Sequence, residues 1–387
     1  MRLPMQPTIR RIGVLTSGGD APGLNAVIRS VVKTAVIRHR WEVVGIADGF
    51  EGLVGEPRIR PLTLEGVSGL LPRGGSVLGC TNRGHFKLDG GSGESMAGTP
   101  LDQVFQRTVA TIGRLELDAV IMVGGDGSHR IARELIRRGV AIVGVPKTID
   151  NDLAGTDSTF GFDTAVSFAT EAIDRLHTTA ESHGRVIVVE VMGRDAGWIA
   201  LYAGIAGGAD VILIPELPFM LEKAATRIAA RAAAGKLFSI VVVAEGAVPF
   251  GGQAPESSMS TSTSTSTSTS TMGGRVGGRS RRSSIAQEVA VELEVLTGRE
   301  ARAVVLGHLQ RGGSPTASDR VLATAYGAAA VQAIADGQTG QMVAWRHGQI
   351  ELVPIGDGIS SPRLVPADHP LLATARGLGI TFAGATD

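Results

Sequence analysis

A chain of 387 residues with 43% hydrophobic and 19% charged residues is globular in composition and long enough for two lobes. Its 37 lysines and arginines balance 37 acidic residues, so no global field marks a nucleic-acid or membrane partner, and an anionic substrate must be held by a local cluster. The single cysteine, Cys80, excludes an internal disulfide, the 4% aromatic share leaves few base-stacking surfaces, and the apolar runs are strand-length rather than the roughly 20 residues of a membrane helix. The N-terminal MRLPMQPTIRR lacks the apolar core of a signal peptide, and a cytoplasmic protein is expected.

A predicted strand at 12–16 runs into SGGDAPGLNAVIRSVVKTAV, a glycine turn that opens an amphipathic helix. Backbone N–H groups at such a helix start can receive an anion, although turns of this kind also serve purely structural ends. A strand at 41–47 follows. Beyond it, LPRGGSVLGCTNRGHF is too glycine-rich for a helix interior, and Arg73, Arg83 and Lys87 make it a basic loop able to close over phosphates or simply to lie in solvent. Cys80 reads as a small packing residue, because no sequence signal supplies an activating partner.

The stretch 118–152, DAVIMVGGDGSHRIARELIRRGVAIVGVPKTIDND, predicts a buried strand (119–123), a glycine turn holding Asp126, a helix, a second buried strand (141–145), and a loop carrying Asp150 and Asp152. Acidic loops at the C-terminal ends of neighbouring strands stand where open α/β sheets place ligands. A helix is expected at 162–180, then a strand at 185–191 that ends in MGRDAGW with Arg194 and Asp195. Helix 198–206, strand 210–214, helix 220–234 and strand 239–244 follow, the last ending at Glu245. This alternation predicts an α/β fold of doubly wound, largely parallel sheets.

The composition changes abruptly near residue 250. A strict Ser-Thr alternation at 260–271 and GGRVGGRSRRSS offer no apolar residues to offset the ordering cost, so 251–284 is expected to be a disordered insertion. Its hydroxyls beside Arg281 and Arg282 offer phosphorylation sites, but an inert expanded loop is the simpler reading. Helix 285–296 and strand 301–306 restore order and lead to GHLQRGGSPTASDR. There His308 and Arg311, beside Arg302, make either a compact cationic group or ordinary surface charges. A helix at 319–335 and a hairpin at 343–354, closed at His347 and Gly348, complete the pattern.

Moving a phosphoryl group requires a bound metal phosphate, a base for the acceptor hydroxyl and fixed positive charge. Asp126 and Asp152 can hold Mg²⁺ through oxygen, Asp150 can accept a proton, and Lys147, Arg83 and Arg194 can offset developing charge. Any one of these carboxylates serves equally well as a cap or turn residue. Three acids bracketing two strand ends argue for a site.

SGGDAPGLNA (17–26), GGDGS (124–128), PKTIDND (146–152), SHGR (182–185), EVMGRDAGW (190–198) and LGHLQRGGSP (306–315) together resemble the motifs of 6-phosphofructokinases. GGDG alone is weak, since NAD kinases and lipid kinases carry it; the longer motifs in this order are specific. The resemblance implies a phosphofructokinase fold of two Rossmann-like lobes: a larger donor lobe (10–160 with 312–362) and a smaller sugar-phosphate lobe (161–311 with 363–387), after an N-terminal tail (1–9). It also implies an ATP-type donor, Mg²⁺, and fructose 6-phosphate phosphorylated at its 1-hydroxyl to fructose 1,6-bisphosphate, a step of glycolysis.

By the same resemblance Asp150 is the base, and Asp126 and Asp152 are acids of the metal site. Gly19, Thr148 and Arg194 stabilise the transferring group, while Arg83, Gly125, Gly127, Ser128 and Lys147 line the donor phosphates. Met192, Gly193 and Glu245 match sugar contacts, and His308 and Arg311 match the 6-phosphate clamp. Arg185 and Arg302 match clamp residues that reach in from a neighbouring subunit, which implies a homo-oligomer with shared sites, usually a tetramer.

In this family Gly at position 127 goes with nucleotide use, whereas Lys at 147 goes with pyrophosphate. An ATP-using subgroup carries both, so ATP is the expected donor and pyrophosphate the alternative. Arg29, Lys33, Asp210 and Lys236 match the effector site of the allosteric bacterial enzymes, but His177 and Ala234 replace arginines there, and altered or absent effector control is expected. A catalytically silent homologue that binds sugar phosphate is a further alternative; the intact set Asp126, Asp150, Arg194, Glu245, His308 and Arg311 argues against it.

Overall fold

The computed structural model describes residues 9–81, 84–86, 100–252 and 284–385. Arg83, Lys87, the N-terminal tail up to residue 8 and all but the ends of the expected insertion at 251–284 lie outside the described residues. The chain divides into two compact units, Met1–Phe168 with His308–Arg363, and Ala169–Gly307 with Leu364–Asp387.

The elements run β1 (Arg11–Thr16), α1 (Leu24–Thr34), β2 (Glu42–Ile46), β3 (Ile59–Pro61), α2 (Leu101–Arg114), β4 (Ala119–Gly124), α3 (Asp126–Arg137), β5 (Ile142–Pro146) and α4 (Phe162–His183). They continue with β6 (Val186–Val191), α5 (Trp198–Ala206), β7 (Val211–Leu213), α6 (Leu221–Ala233), β8 (Ser239–Ala244), α7 (Ile285–Thr297), β9 (Ala301–Val305), α8 (Ala317–Ala335), β10 (Gln341–Arg346), β11 (Gln349–Pro354) and α9 (Pro370–Gly377). The fold is α/β with largely parallel sheets, as the sequence predicts.

The first unit is built on a seven-stranded sheet of order β11-β10-β5-β4-β1-β2-β3. Its five inner strands are parallel, and β3 and β11 pair antiparallel at the edges. Pro61 in β3 fits an edge, where a missing N–H costs no ladder bond. Strand residues alternate between two cores: Ile12, Val14, Ile121 and Val123 join residues of α1 and α8, while Leu15, Val120 and Met122 join residues of α2 and α3. The chain winds from β1 to β2, then crosses back to place β4 on the other side of β1. Strand order therefore reverses between β1 and β4, the position beyond whose C-terminal strand ends open α/β sheets receive ligands.

The second unit is built on an all-parallel sheet of order β7-β8-β6-β9. The register Val191↔Ala244 sets the C-terminal ends of β6 and β8 side by side, while Val186↔Ala301 aligns the starts of β6 and β9 at the opposite edge. β8 is buried along its whole length, as a strand with both faces covered requires.

Pattern reading leaves β3, α2 and α9 unassigned, and α1 runs on into a wider helical turn at Ala35–His39. The hairpin closes where expected: His347 (φ 51°) and Gly348 (φ 80°) both take left-handed backbone, as a tight two-residue turn between twisted strands demands.

Candidate active site

In the first unit the turn after β1 is pinned from both sides. Ser17 N–H donates to the Val123 carbonyl at 2.9 Å and Gly18 N–H to Thr81 at 3.1 Å. At Gly19 a Cβ would lie 2.9 Å from Arg311 Nη1, so a side chain there would push that guanidinium aside. Arg311 Nη1 also donates to the Asp20 carbonyl at 3.1 Å. From the loop after β5, the Lys147 ammonium donates to the Gly19 carbonyl. Lys147 is buried, and burial pulls its pKa below the ordinary lysine value; the Arg311 charge pulls the same way, while Cys80, Asp150 and Asp20 oppose it. Cys80 itself is half-buried, and burial raises its thiol pKa, which fits a packing role better than a nucleophile.

After β4, Gly125 is extended and Asp126 begins α3, with Oδ2 3.6 Å from Arg130 Nη2 one turn on. Among the described residues no side chain caps this helix, and its leading N–H groups and dipole stand at the C-terminal end of β4. A Cβ on Gly127 would meet no atom within 4 Å. Ser128 is buried, and its Oγ lies 3.6 Å from where a Gly18 Cβ would stand.

His129 is a participant that motif reading misses. Fully buried, it places Nδ1 2.8 Å from the Gly125 carbonyl, so Nδ1 carries the proton and the ring braces the glycine turn. Burial lowers its pKa to about 4. The available signal was a polar residue on the face of α3 that also carries Ile131, Ala132 and Leu135.

The loop after β5 is held by its own polar groups. Asp150 N–H donates to Thr148 Oγ1 at 3.0 Å, and that hydroxyl donates to Asp150 Oδ2 at 3.3 Å. Asp150 is buried at 2% exposure. Asn151 turns through left-handed backbone (φ 53°), and its side-chain oxygen accepts from Thr159 N–H at 3.1 Å. Arg363 clamps the loop through its N–H to the Asp152 carbonyl (2.8 Å) and Nη1 to the Asn151 carbonyl (3.1 Å). Gly19 thus lies against both Lys147 and Arg311, and Thr148 against Asp150. Among the described residues no group of three or more His, Cys, Asp or Glu side chains forms a metal cage.

In the second unit Met192, Gly193 and Arg194 follow β6, and the last two meet Glu245 just after β8. Glu245 Oε1 accepts from Gly193 N–H (3.3 Å) and Arg194 N–H (2.9 Å). Gly193 has φ 147°, and a Cβ there would fall 2.4 Å from the Ala196 carbonyl. Glu216, also unassigned by sequence, accepts from Gly197 N–H (3.0 Å) and Val365 N–H (2.8 Å), with burial raising its pKa.

Arg185 and Arg302 stand elsewhere. They flank the starts of β6 and β9, where both bond Glu300. The six residues of β6 at about 3.3 Å each separate them from Met192 by roughly 20 Å. Arg302 is engaged with Glu300, and His308 and Arg311 lie in the short turn Gly307–Arg311. Asp210, matched above to an effector site, is buried and paired with Arg231 at 2.8 Å. No helix among the described residues is long and apolar enough to cross a membrane.

The family model described as phosphofructokinase matches residues 11–334. The chain is 55% identical over 373 residues to an ATP-dependent 6-phosphofructokinase of Chloroflexus aggregans, covering 96% of this chain and 98% of that one. It is 48% identical over 361 residues to a pyrophosphate–fructose 6-phosphate 1-phosphotransferase of Amycolatopsis methanolica, covering 93% and 97%. Among solved structures, the phosphofructokinase of Pichia pastoris in the T-state aligns with a TM-score of 0.75 and 31% identity, over 92% of this chain and 38% of that longer one.

Proposed function

The chain belongs to the phosphofructokinase family, and from that premise we propose that it transfers a phosphoryl group from ATP to the 1-hydroxyl of fructose 6-phosphate, giving fructose 1,6-bisphosphate. The observation that carries this reading is the buried contact of Lys147 with the Gly19 carbonyl. It ties the turns after β1 and β5 together around the open start of α3, at the strand-order reversal where such sheets receive ligands.

Asp150 takes the proton of the sugar hydroxyl, with Thr148 fixing the carboxylate in place. Gly19, Thr148 and Arg194 offset charge on the transferring group. Gly125, Gly127, Ser128 and Lys147 line the donor phosphates, together with Arg83 beyond the described residues. The residues present suit Mg²⁺: Asp126 is a partly exposed oxygen donor beside the open space at Gly127, and this ion is commonly held by one or two carboxylates plus substrate phosphates. Asp126 and Asp152 would hold it, and it would neutralise phosphate charge.

The first unit is assigned the donor and the second most of the sugar contacts, through Met192, Gly193 and Glu245. His308 and Arg311 bind the 6-phosphate; a guanidinium has five N–H donors, so the bond to Asp20 leaves others for phosphate. Arg185 and Arg302 serve the site of a neighbouring copy. The length of β6 supports this, since it holds them some 20 Å from Met192 in their own unit. A homotetramer acting in the cytoplasm is the corresponding assembly and location.

ATP is favoured as donor because Gly127 leaves room beyond the phosphates, where an acidic side chain would obstruct a nucleotide. Lys147 and the likeness to the Amycolatopsis enzyme favour pyrophosphate as a second reading. Steady-state rates with MgATP and with Mg-pyrophosphate decide between them: turnover with ATP alone is expected, and turnover with pyrophosphate alone would reverse the assignment. No turnover with either donor would leave the silent sugar-phosphate-binding homologue.

A further inference from the structure

We propose that Glu300 is a positioning residue for the sugar phosphate, spacing and orienting Arg185 and Arg302 as a paired fork. The proposal rests on the assignment of those arginines to the 6-phosphate. Glu300 Oε2 accepts from Arg185 Nε at 2.6 Å and Oε1 from Arg302 Nη2, so each carboxylate oxygen serves one guanidinium. Its backbone is equally fixed: the Glu300 carbonyl accepts from Val186 N–H at 3.0 Å, and the next N–H, of Ala301, donates to Glu294 Oε2 at 3.0 Å. Arg302 Nη1 donates to the Ala301 carbonyl at 3.1 Å and lies 3.9 Å from Glu294. The Glu300 carboxyl is held below its ordinary range, first by the Arg185 hydrogen bond.

Position separates this arrangement from an ordinary surface ion pair. Arg302 pairs in register with Ile187, two residues from Arg185, so two like charges are brought together at one sheet edge and would splay apart. One carboxylate between them removes the repulsion and leaves a net positive charge. Each guanidinium keeps further N–H donors, and bidentate capture of a phosphate requires two planar forks at fixed spacing. An exposed ion pair contributes little to folding, whereas preorganising two long side chains lowers the ordering cost of binding.

The test is steady-state kinetics on the assembled enzyme for Glu300→Gln, Glu300→Ala, Glu300→Asp, Arg185→Ala and Arg302→Ala, with sedimentation and melting recorded for each. Glu300→Gln and Glu300→Ala are expected to raise KM for fructose 6-phosphate about tenfold, with kcat and the KM for ATP changed less than about twofold, and Glu300→Asp to fall between. Adding Glu300→Ala to an Arg185→Ala/Arg302→Ala background should change nothing more. An unchanged KM would overturn the proposal, and so would a lowered one, which would mean that the carboxylate competes with phosphate. Should Glu300→Gln disrupt assembly, Glu300→Asp gives the same reading in the intact oligomer. If Arg185→Ala and Arg302→Ala leave KM unchanged, the phosphate assignment itself fails, which differs from a null result at Glu300 alone.

Discussion

Asp150 is buried and fixed by Thr148, so its replacement tests chemistry with little change of shape. Asp150→Asn is expected to lower kcat by about 10²–10⁴-fold while KM for both substrates stays within a few-fold, the pattern of a lost proton acceptor. A loss under about tenfold in steady-state assays would remove Asp150 as the base. His129 gives a pH prediction. Its pKa falls from 6.5 to about 4 on folding, so the unfolded chain binds a proton that the folded chain refuses. Above pH 6.5 both states are neutral and nothing is lost; as pH drops from 6.5 towards 4, stability should fall by up to ~3 kcal/mol. Urea unfolding across that range should show this slope in the wild type and a shallower one in His129→Gln. The acidic positions were legible because they end apolar runs. The burial of Lys147 was not, since its partner Gly19 is 128 residues away and no local pattern encodes that contact.

The elements differ in how clearly their ends are written. α7 is announced by Ser284 and Gln287 ahead of an apolar run. In the structure Ser284 Oγ accepts from Gln287 N–H at 3.2 Å while Gln287 Oε1 accepts from Ser284 N–H at 3.4 Å, a reciprocal cap. Glu190 Oε2 adds a bond from Ala286 N–H at 2.9 Å. Ser284→Ala should therefore cost about 1 kcal/mol, read as a lower melting temperature with kcat unchanged. α2 lacks such a start: Pro100 stands at its N-cap with no side-chain bond, although Val104, Phe105, Thr108 and Ile112 carry a helical stripe. α9 is only eight residues long, and β3 is three residues ending in proline, too short for periodicity to declare either. Buried parallel strands were the clearest elements, because β4 and β8 are covered on both faces and are apolar over nearly their whole length.

For the whole molecule, the separation along β6 has a consequence that no single variant reveals. Asp150 and Arg185 are assigned to the same reaction, yet Arg185 stands at the far edge of its sheet from Met192 and Glu245. If a neighbouring copy supplies Arg185, an Asp150→Asn chain and an Arg185→Ala chain are defective in ways that a hybrid can separate. Within a hybrid pair one site collects both substitutions and the other receives neither. Random mixing and reassembly of the two variants should therefore restore about a quarter of wild-type activity at subsaturating fructose 6-phosphate, from two preparations that are each nearly inactive there. Dissociating conditions followed by dilution give the mixed oligomers, and sedimentation confirms their reassembly. Activity that never exceeds the sum of the separate preparations would mean that Arg185 acts within its own chain, which the length of β6 argues against.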